Sequence, residues 1–360
     1  MDSVQNRDGG EKKAWSRRDV LRAAGAAGLA GGAGLAAQRA TAAGPLRPIK
    51  LAWNANAICL SAAPVAIERG IFEKHGLDVS VTTQSSGGGA HVNAVLAGQA
   101  WGYIGGPEHN GFVKAQDSAG DTEIKAIANV VNRGNVYMVA ADGVDAPDIT
   151  NVEDAAAFLE GKSIVTGAYG GTPNSILRYI LDQGGLTTDD ITLIESADAA
   201  APLAIVSQGQ ADFALIAEPI VTQGVEEGIW QDPFISVPGI LGDYAYSTIN
   251  VPVASYAEDN GPEVAQAFVD AISEALALVK SDRSVAEAVA TAQFDNLDPA
   301  VIASVLDKAY ADDLWPDDAT ISEPAAALSL AVARGAGALT DSDDPATFAD
   351  VVDLQFVEEK

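Results

Sequence analysis

Three histidines, a single cysteine and a few aromatic and acidic residues are the side chains of this 360-residue protein with evident chemical potential. His75, His91 and His109 are spaced without the short intervals that zinc sites use. No G-x-S-x-G elbow and no phosphate-binding P-loop occurs. Cys59 has no second cysteine to pair with and reads as a small buried hydrophobe. The residue types suit binding rather than bond-making. Two stretches, SSGGGAH (Ser85 to His91) and GAYGGTPNSILRYIL (Gly167 to Leu181), shed side chains where a helix begins. Bare glycines there let a ligand approach the N–H groups that a helix start leaves unpaired. Tyr169 stands inside the second stretch, where a core role is awkward, and offers a ring for contact. Trp53 is either a core aromatic or a stacking wall. Glu218 is either a carboxylate for an amino or N–H group or the partner of a cation within its own lobe. His91 reads either as a surface or capping residue or as one facing the cleft near the first helix start, and His109, beside the turn GGPE, carries the same two readings. Arg133 is the arginine with a case for facing the same site.

These residues need elements to position them. Ile176, Leu177, Ile180 and Leu181 recur at helical spacing, with Thr172 as expected N-cap and Pro173 as first helical residue. The chain also repeats itself. VLAGQAWGYIGGPE (Val95 to Glu108) and VSQGQADFALIAEP (Val206 to Pro219) share a helix end, a Gly-Gln-Ala, a short apolar strand and a Glu/Pro turn. Upstream of each runs the same order of strand, loop, helix, Gly-Leu, strand, loop and helix. Alternating strands and helices predict α/β lobes with mainly parallel sheets, and so long a period predicts two similar lobes. Ligands of such lobes sit beyond the carboxyl ends of the strands, so two facing lobes share one cleft. The expected division is 43–142 plus 244–360 for lobe one with the C-terminal helices, and 143–243 for lobe two.

Residues 1–42 read as an export signal: basic residues up to Arg22, a weakly apolar Ala/Gly/Leu stretch, and Ala40-Thr41-Ala42 as cleavage site. Arg17-Arg18 within SRRDVL points to the twin-arginine route. No cysteine follows the signal directly, so no lipid anchor is expected at that point. Net charge is −29, and the signal holds seven of the 21 basic residues, so the remainder is more acidic still. Such a surface repels nucleic acid and anionic lipid.

VAIERGIFEKHGLDVSV, EGKSIVTGAYGGTPNSILRYILDQGGL and GQADFALIAEP together resemble the substrate-binding proteins of ABC importers in the nitrate/sulfonate/taurine group, related to the thiamine-precursor binders. The resemblance covers roughly residues 48–280. It implies a type II periplasmic-binding-protein fold, two crossover segments, no cofactor, and a monomer that hands a small solute to a permease with its ATPase subunit. It places the cleft at Trp53 and Asn54, at Ser86 and Gly87, at Pro107 and Glu108 with His109 beside them, at Gly170, Gly171 and Thr172, and at Glu218. Tyr169 joins this set. The implied solute is small and polar or anionic, such as a sulfonate, taurine or nitrate. The alternative is a pyrimidine-type thiamine precursor or another heteroaromatic. An enzyme on the same fold is the rival class, but the related pyrimidine synthases carry a Cys-rich motif that this chain lacks. Gly105-Gly106 stands where the family would carry larger residues, which bears on pocket size.

Overall fold

The computed structural model describes residues 45–53, 57–83, 89–116, 122–257, 259–339 and 345–357. The expected signal, residues 1–42, and the expected site residues Asn54, Ser86 and Gly87 lie outside the described residues. Among the described residues, ten strands form two five-stranded sheets. The first contains β1 (Arg47–Trp53), β2 (Leu77–Thr83), β3 (Gly102–Gly105), β4 (Ile124–Val131) and β10 (Ser247–Pro252) in the order β2-β1-β3-β10-β4. The second contains β5 (Val136–Ala140), β6 (Ser163–Gly167), β7 (Thr192–Ser196), β8 (Phe213–Ala217) and β9 (Ile235–Ser236) in the order β7-β6-β8-β5-β9.

The repeat in the sequence is a repeat in topology. In each sheet the first strand of the repeat lies parallel between the second and third. In each, an antiparallel strand that arrives from the other lobe then pairs with the third: β10 on β3, and β5 on β8. Each sheet is therefore mixed but mainly parallel in strand direction, four strands running one way and one against them. The Gly-Gln-Ala triplets end corresponding helices. Gly98 and Gly209 take φ of 67° and 68°, and the glutamine N–H after each reaches back to Ala94 O or Ile205 O at 2.8 and 3.0 Å. Glycine is needed there because a side chain strains a left-handed helix end.

Two expectations about domain limits change. β5, expected in lobe one, belongs to the second sheet, so the first crossover falls at Asn132–Asn135. VYMVA is apolar throughout and buried on both faces, so its composition does not reveal which sheet it joins. The second crossover runs beside the first. Tyr244 N–H donates to Asn132 O at 2.9 Å, and Arg133 pairs with Asp243 at 3.3 Å, so that arginine ties the two crossovers together.

The C-terminal helices, expected on lobe one, pack on both lobes. Among helices, α1 (Ala62–Glu68), α2 (Ala90–Leu96) and α3 (Glu108–Gln116) belong to lobe one, and α4 (Val152–Leu159), α5 (Thr172–Gln183) and α6 (Ile220–Glu226) to lobe two. They are followed by α7 (Gly261–Ser281), α8 (Arg283–Gln293), α9 (Pro299–Ala311) and α10 (Glu323–Gly335). Helix α9 buries Ile302, Val305 and Leu306 in the lobe-one core, and Asp312 at its end accepts from Tyr137 of β5 at 2.6 Å. Helix α10 sets Val332 into the core of lobe two and Leu330 and Ala333 into a cluster with Ala126 of lobe one. On α5, Ile176, Leu177, Ile180 and Leu181 are fully buried, as the helical spacing predicts.

Candidate functional site

Strand register decides which side chains can reach the cleft. Along β1, Ile49, Leu51 and Trp53 share one face and enter the core under α1 and α7, whereas Ala52 faces α2. Trp53 is therefore a buried core aromatic, and its Nε1–H donates to Thr83 Oγ1 at 3.1 Å. A cavity of about 610 Å³ lies on the α2 side, lined by both lobes. Helices α2 and α3 supply Val92, Asn93, Leu96, His109, Phe112, Val113 and Gln116, with Gly89 at the start of α2. Lobe two supplies Tyr169 and Gly170 from the loop after β6. His109, Tyr169 and Gly170 are thus the expected site residues that the structure brings together on one cavity. Thr172 lies close by, in a narrow cleft with Glu108 and His109.

The loop before α5 departs in detail from the expected helix cap. Gly171, not Thr172, is the N-cap residue, and no side chain caps the helix. The Gly171 N–H is already donated to Ala168 O at 3.0 Å, and Pro173 brings no N–H. The helix start thus presents fewer free donors than its glycines suggest. Gly170 has φ of 82°, a conformation that side chains other than hydrogen rarely adopt. That geometry turns the chain so that Tyr169 stands out, 52% exposed, with the Arg178 guanidinium 4.9 Å from its ring centre. Arg178 in turn donates to Asn174 Oδ1 at 2.8 Å and to Glu195 at 2.9 Å.

Glu218 is not on the cavity. It is buried at the start of α6, where its carboxylate accepts from Thr222 N–H at 3.0 Å and from the Thr222 hydroxyl at 2.9 Å. Burial raises its pKa, opposed by these two hydrogen bonds and by Lys308. It closes a helix start rather than a ligand site.

The residues least legible in the sequence are those under the cavity. His91 is buried, at 3% exposure, not a surface or capping residue. Its ring lies 4.9 Å from that of Tyr103 and 5.0 Å from that of His109, and neither ring nitrogen has a hydrogen-bond partner among the described residues. Burial, with a smaller push from His109, lowers its pKa to about 3. The signal was present: His91, Val92 and Val95 fall on one buried stripe of α2. Glycines 105 and 106 make room for this cluster. A Cβ on Gly105 would stand 2.8 Å from His91 Nε2, and one on Gly106 would overlap the Glu108 carboxylate. Larger residues would displace those side chains, so the double glycine does not enlarge the pocket. Glu108 accepts from Ser329 at 2.5 Å and lies 3.4 Å from His109 Nδ1. His109 Nδ1 also lies 3.2 Å from Gly106 O. In the tautomer whose Nδ1 donates to that carbonyl, Nε2 is an acceptor. Behind them, Tyr103 donates to Asn110 at 2.6 Å and Asn110 to Asn250 at 2.8 Å, which fixes the wall.

Among the described residues no group of three or more His, Cys, Asp or Glu is placed to hold a metal ion, and no helix is long and apolar enough to cross a membrane. Cys59 is buried and its thiol is pushed up to about 12 by burial, so it is not a thiolate at neutral pH.

Known proteins share this architecture. The chain is similar to the alkanesulfonate-binding protein SsuA of Xanthomonas axonopodis pv. citri, solved with MOPS bound, at 18% identity and a TM-score of 0.61, over 83% of this chain and 96% of that one. It is similar to the periplasmic nitrate-binding protein NrtA of Synechocystis PCC 6803, at 18% identity and a TM-score of 0.57, over 71% and 69% of the two chains. These likenesses establish the fold as that of periplasmic binding proteins. Among curated proteins, a putative binding protein of Bacillus subtilis, YtlA, is 26% identical over 281 residues, 77% of this chain and 80% of its own length. The family model described as NMT1-like matches residues 42–293. With two matched lobes, a shared cavity and a family match over most of its length, this chain belongs to the NMT1-like family.

Proposed function

We propose that this protein is the exported solute-binding component of an ABC importer, capturing a small organic solute between its lobes and delivering it to a permease driven by an ATPase subunit. The observation that carries this reading is the cavity lined from both lobes, with α2 and α3 on one side and the Tyr169-Gly170 loop on the other. A solute seated there touches both halves and so favours their approach. The relatives named as binding proteins support the same class, and their printed ligands, alkanesulfonate and nitrate, support a small solute. The lobes divide at the crossovers near Asn132–Asn135 and Asp243, and the protein acts as a monomer without a cofactor. Small-angle X-ray scattering of the mature protein is expected to show compaction on addition of a solute that also raises its melting temperature. A solute at about 100 times its Kd adds roughly 2.7 kcal/mol of stability. Product formed in molar excess over the protein would instead show an enzyme.

Export by the twin-arginine route is part of this proposal. Changing Arg17 and Arg18 together to lysine is expected to leave uncleaved precursor inside the cell, detected by immunoblot of cell fractions. Normal secretion of the double variant would assign the protein to another route. The absence of a cysteine directly after Ala42 supports release without a lipid anchor.

Two solute classes compete within this function: a sulfonate-, taurine- or nitrate-like anion or zwitterion, and a neutral heteroaromatic of the thiamine-precursor kind. A volume of about 610 Å³ falls in the range of pockets for organic ligands and far exceeds an inorganic oxyanion.

A further inference from the structure

We propose that the cavity selects an uncharged, planar organic solute that carries N–H or O–H donors on one edge, and that it discriminates against sulfonates, carboxylates and nitrate. The inference rests on the solute-binding reading above and names the chemistry of its ligand.

The lining shows what the cavity can stabilise. Among the described residues it carries no lysine and no arginine. Basic side chains on the surrounding elements are paired: Lys114 with Asp350 at 3.0 Å, Arg334 with Ala346 O at 2.6 Å, and Arg178 with Glu195 at 2.9 Å while its guanidinium stacks on the Tyr169 ring. The carboxylate of Glu108 lies beside His109. His91, behind His109, stays neutral over the ordinary pH range because it is buried without a counter-charge. An anion entering this site would lose water and meet no lysine or arginine on the cavity lining, which burial of a charge makes unfavourable.

The apolar side of the site is equally specific. Among the described residues, Leu96 and Tyr169 are the large hydrophobic side chains left exposed, at 48% and 52%, and both line this one cavity from different lobes. Exposed apolar side chains that converge on one site mark a surface kept for a partner. Phe112, Val92 and Val113 continue the apolar wall between them. A flat, apolar body held against Tyr169 and Leu96 removes both from water. At the polar end, Nε2 of His109 is left as an acceptor once Nδ1 donates to Gly106 O. The neutral amides of Asn93 and Gln116 complete the polar lining. Acceptors and neutral amides without cations match a ligand that brings its own donors.

The test uses probes of one shape that differ in charge. Benzenesulfonamide and benzamide are neutral and carry N–H donors, whereas benzenesulfonate and benzoate have the same ring and an anionic end. Butanesulfonate, taurine and nitrate extend the anionic set. Dissociation constants are measured by ligand-observed NMR on the mature wild type and on the Tyr169→Ala and His109→Leu variants, with circular dichroism to confirm that each is folded. The neutral probes are expected to bind at least about tenfold more tightly than their anionic counterparts, about 1.4 kcal/mol. Both variants are expected to lose that binding. Sulfonate binding as tight as that of the sulfonamide, with compaction on scattering, overturns the inference and leaves the solute-binding reading intact. Failure of every probe to bind in a Tyr169-dependent way overturns the inference. If the importer's permease and ATPase also fail to respond to the mature protein in reconstituted vesicles, the parent reading falls with it.

Discussion

A Gly170→Val variant is expected to lose solute binding by at least about 100-fold while keeping the wild-type circular dichroism spectrum. The reasons are local. Gly170 lines the cavity and holds φ of 82°. A β-branched residue is strained in that conformation, by roughly 1–2 kcal/mol, and relieves the strain by turning the loop back to negative φ. That turn moves Tyr169, whose ring forms the lobe-two wall. The valine side chain also occupies solute volume. Core packing is spared, because the loop lies outside the buried stripe of Ile176, Leu177, Ile180 and Leu181. Exposed loops bear little of the stability of a domain. Titration with the tightest neutral probe checks the prediction. Gly171→Val is expected to do less, since Gly171 has φ of −85° and a Cβ there meets only Ala168 O, at 3.1 Å. Equal affinity of Gly170→Val and wild type would remove this loop from the site.

The second large effect concerns His91 and acid stability. Its folded pKa is lowered to about 3 from 6.5, because burial disfavours the imidazolium and His109 adds repulsion. Between those values the unfolded chain binds a proton that the folded chain refuses. Stability therefore rises with pH across that window, is fully present above pH 6.5, and is lost as pH falls toward 3. Near pH 4.5 the loss from this one residue amounts to about 2–3 kcal/mol relative to neutral pH. The acidic surface titrates as well, so the measurement is a difference. Urea denaturation of wild type and His91→Phe at neutral pH and near pH 4.5 is expected to show a steeper acid loss in wild type. His91→Leu serves as a second non-titrating variant should the larger ring crowd Gly105 and Tyr103. Parallel pH profiles of all three would place the proton elsewhere. His109 and Tyr103 are the titratable rings against His91, and each variant keeps them.

Some features of this protein were written in its sequence because they depend on local rules. Helix α5 follows from the spacing of four apolar residues, and its beginning was legible to within one position from Thr172 and Pro173. The two lobes followed from the repeat, since Gly98 and Gly209 each end a helix by the same left-handed turn. Excess acidic charge is a sum over residues and needs no fold. What tertiary structure alone decided is which faces meet. Trp53 was open to a core or a wall role because it ends a strand, and alternation along β1 turns it with Leu51 into the core. Glu218 was open to a role as cleft carboxylate or as partner of a cation in its own lobe, and the fold instead sets it against Thr222 at the start of α6. β5 joins the second sheet because its hydrogen-bond partner is β8, a pairing between strands more than 70 residues apart that no local pattern encodes. The cavity itself joins residues of α2 and α3 to a loop of the other lobe. Periodicity shows that a residue such as Leu96 lies on one side of a helix. It does not show that Tyr169, from a separate sheet, stands across the gap, because that proximity is created by the packing of both lobes on the shared crossovers and C-terminal helices.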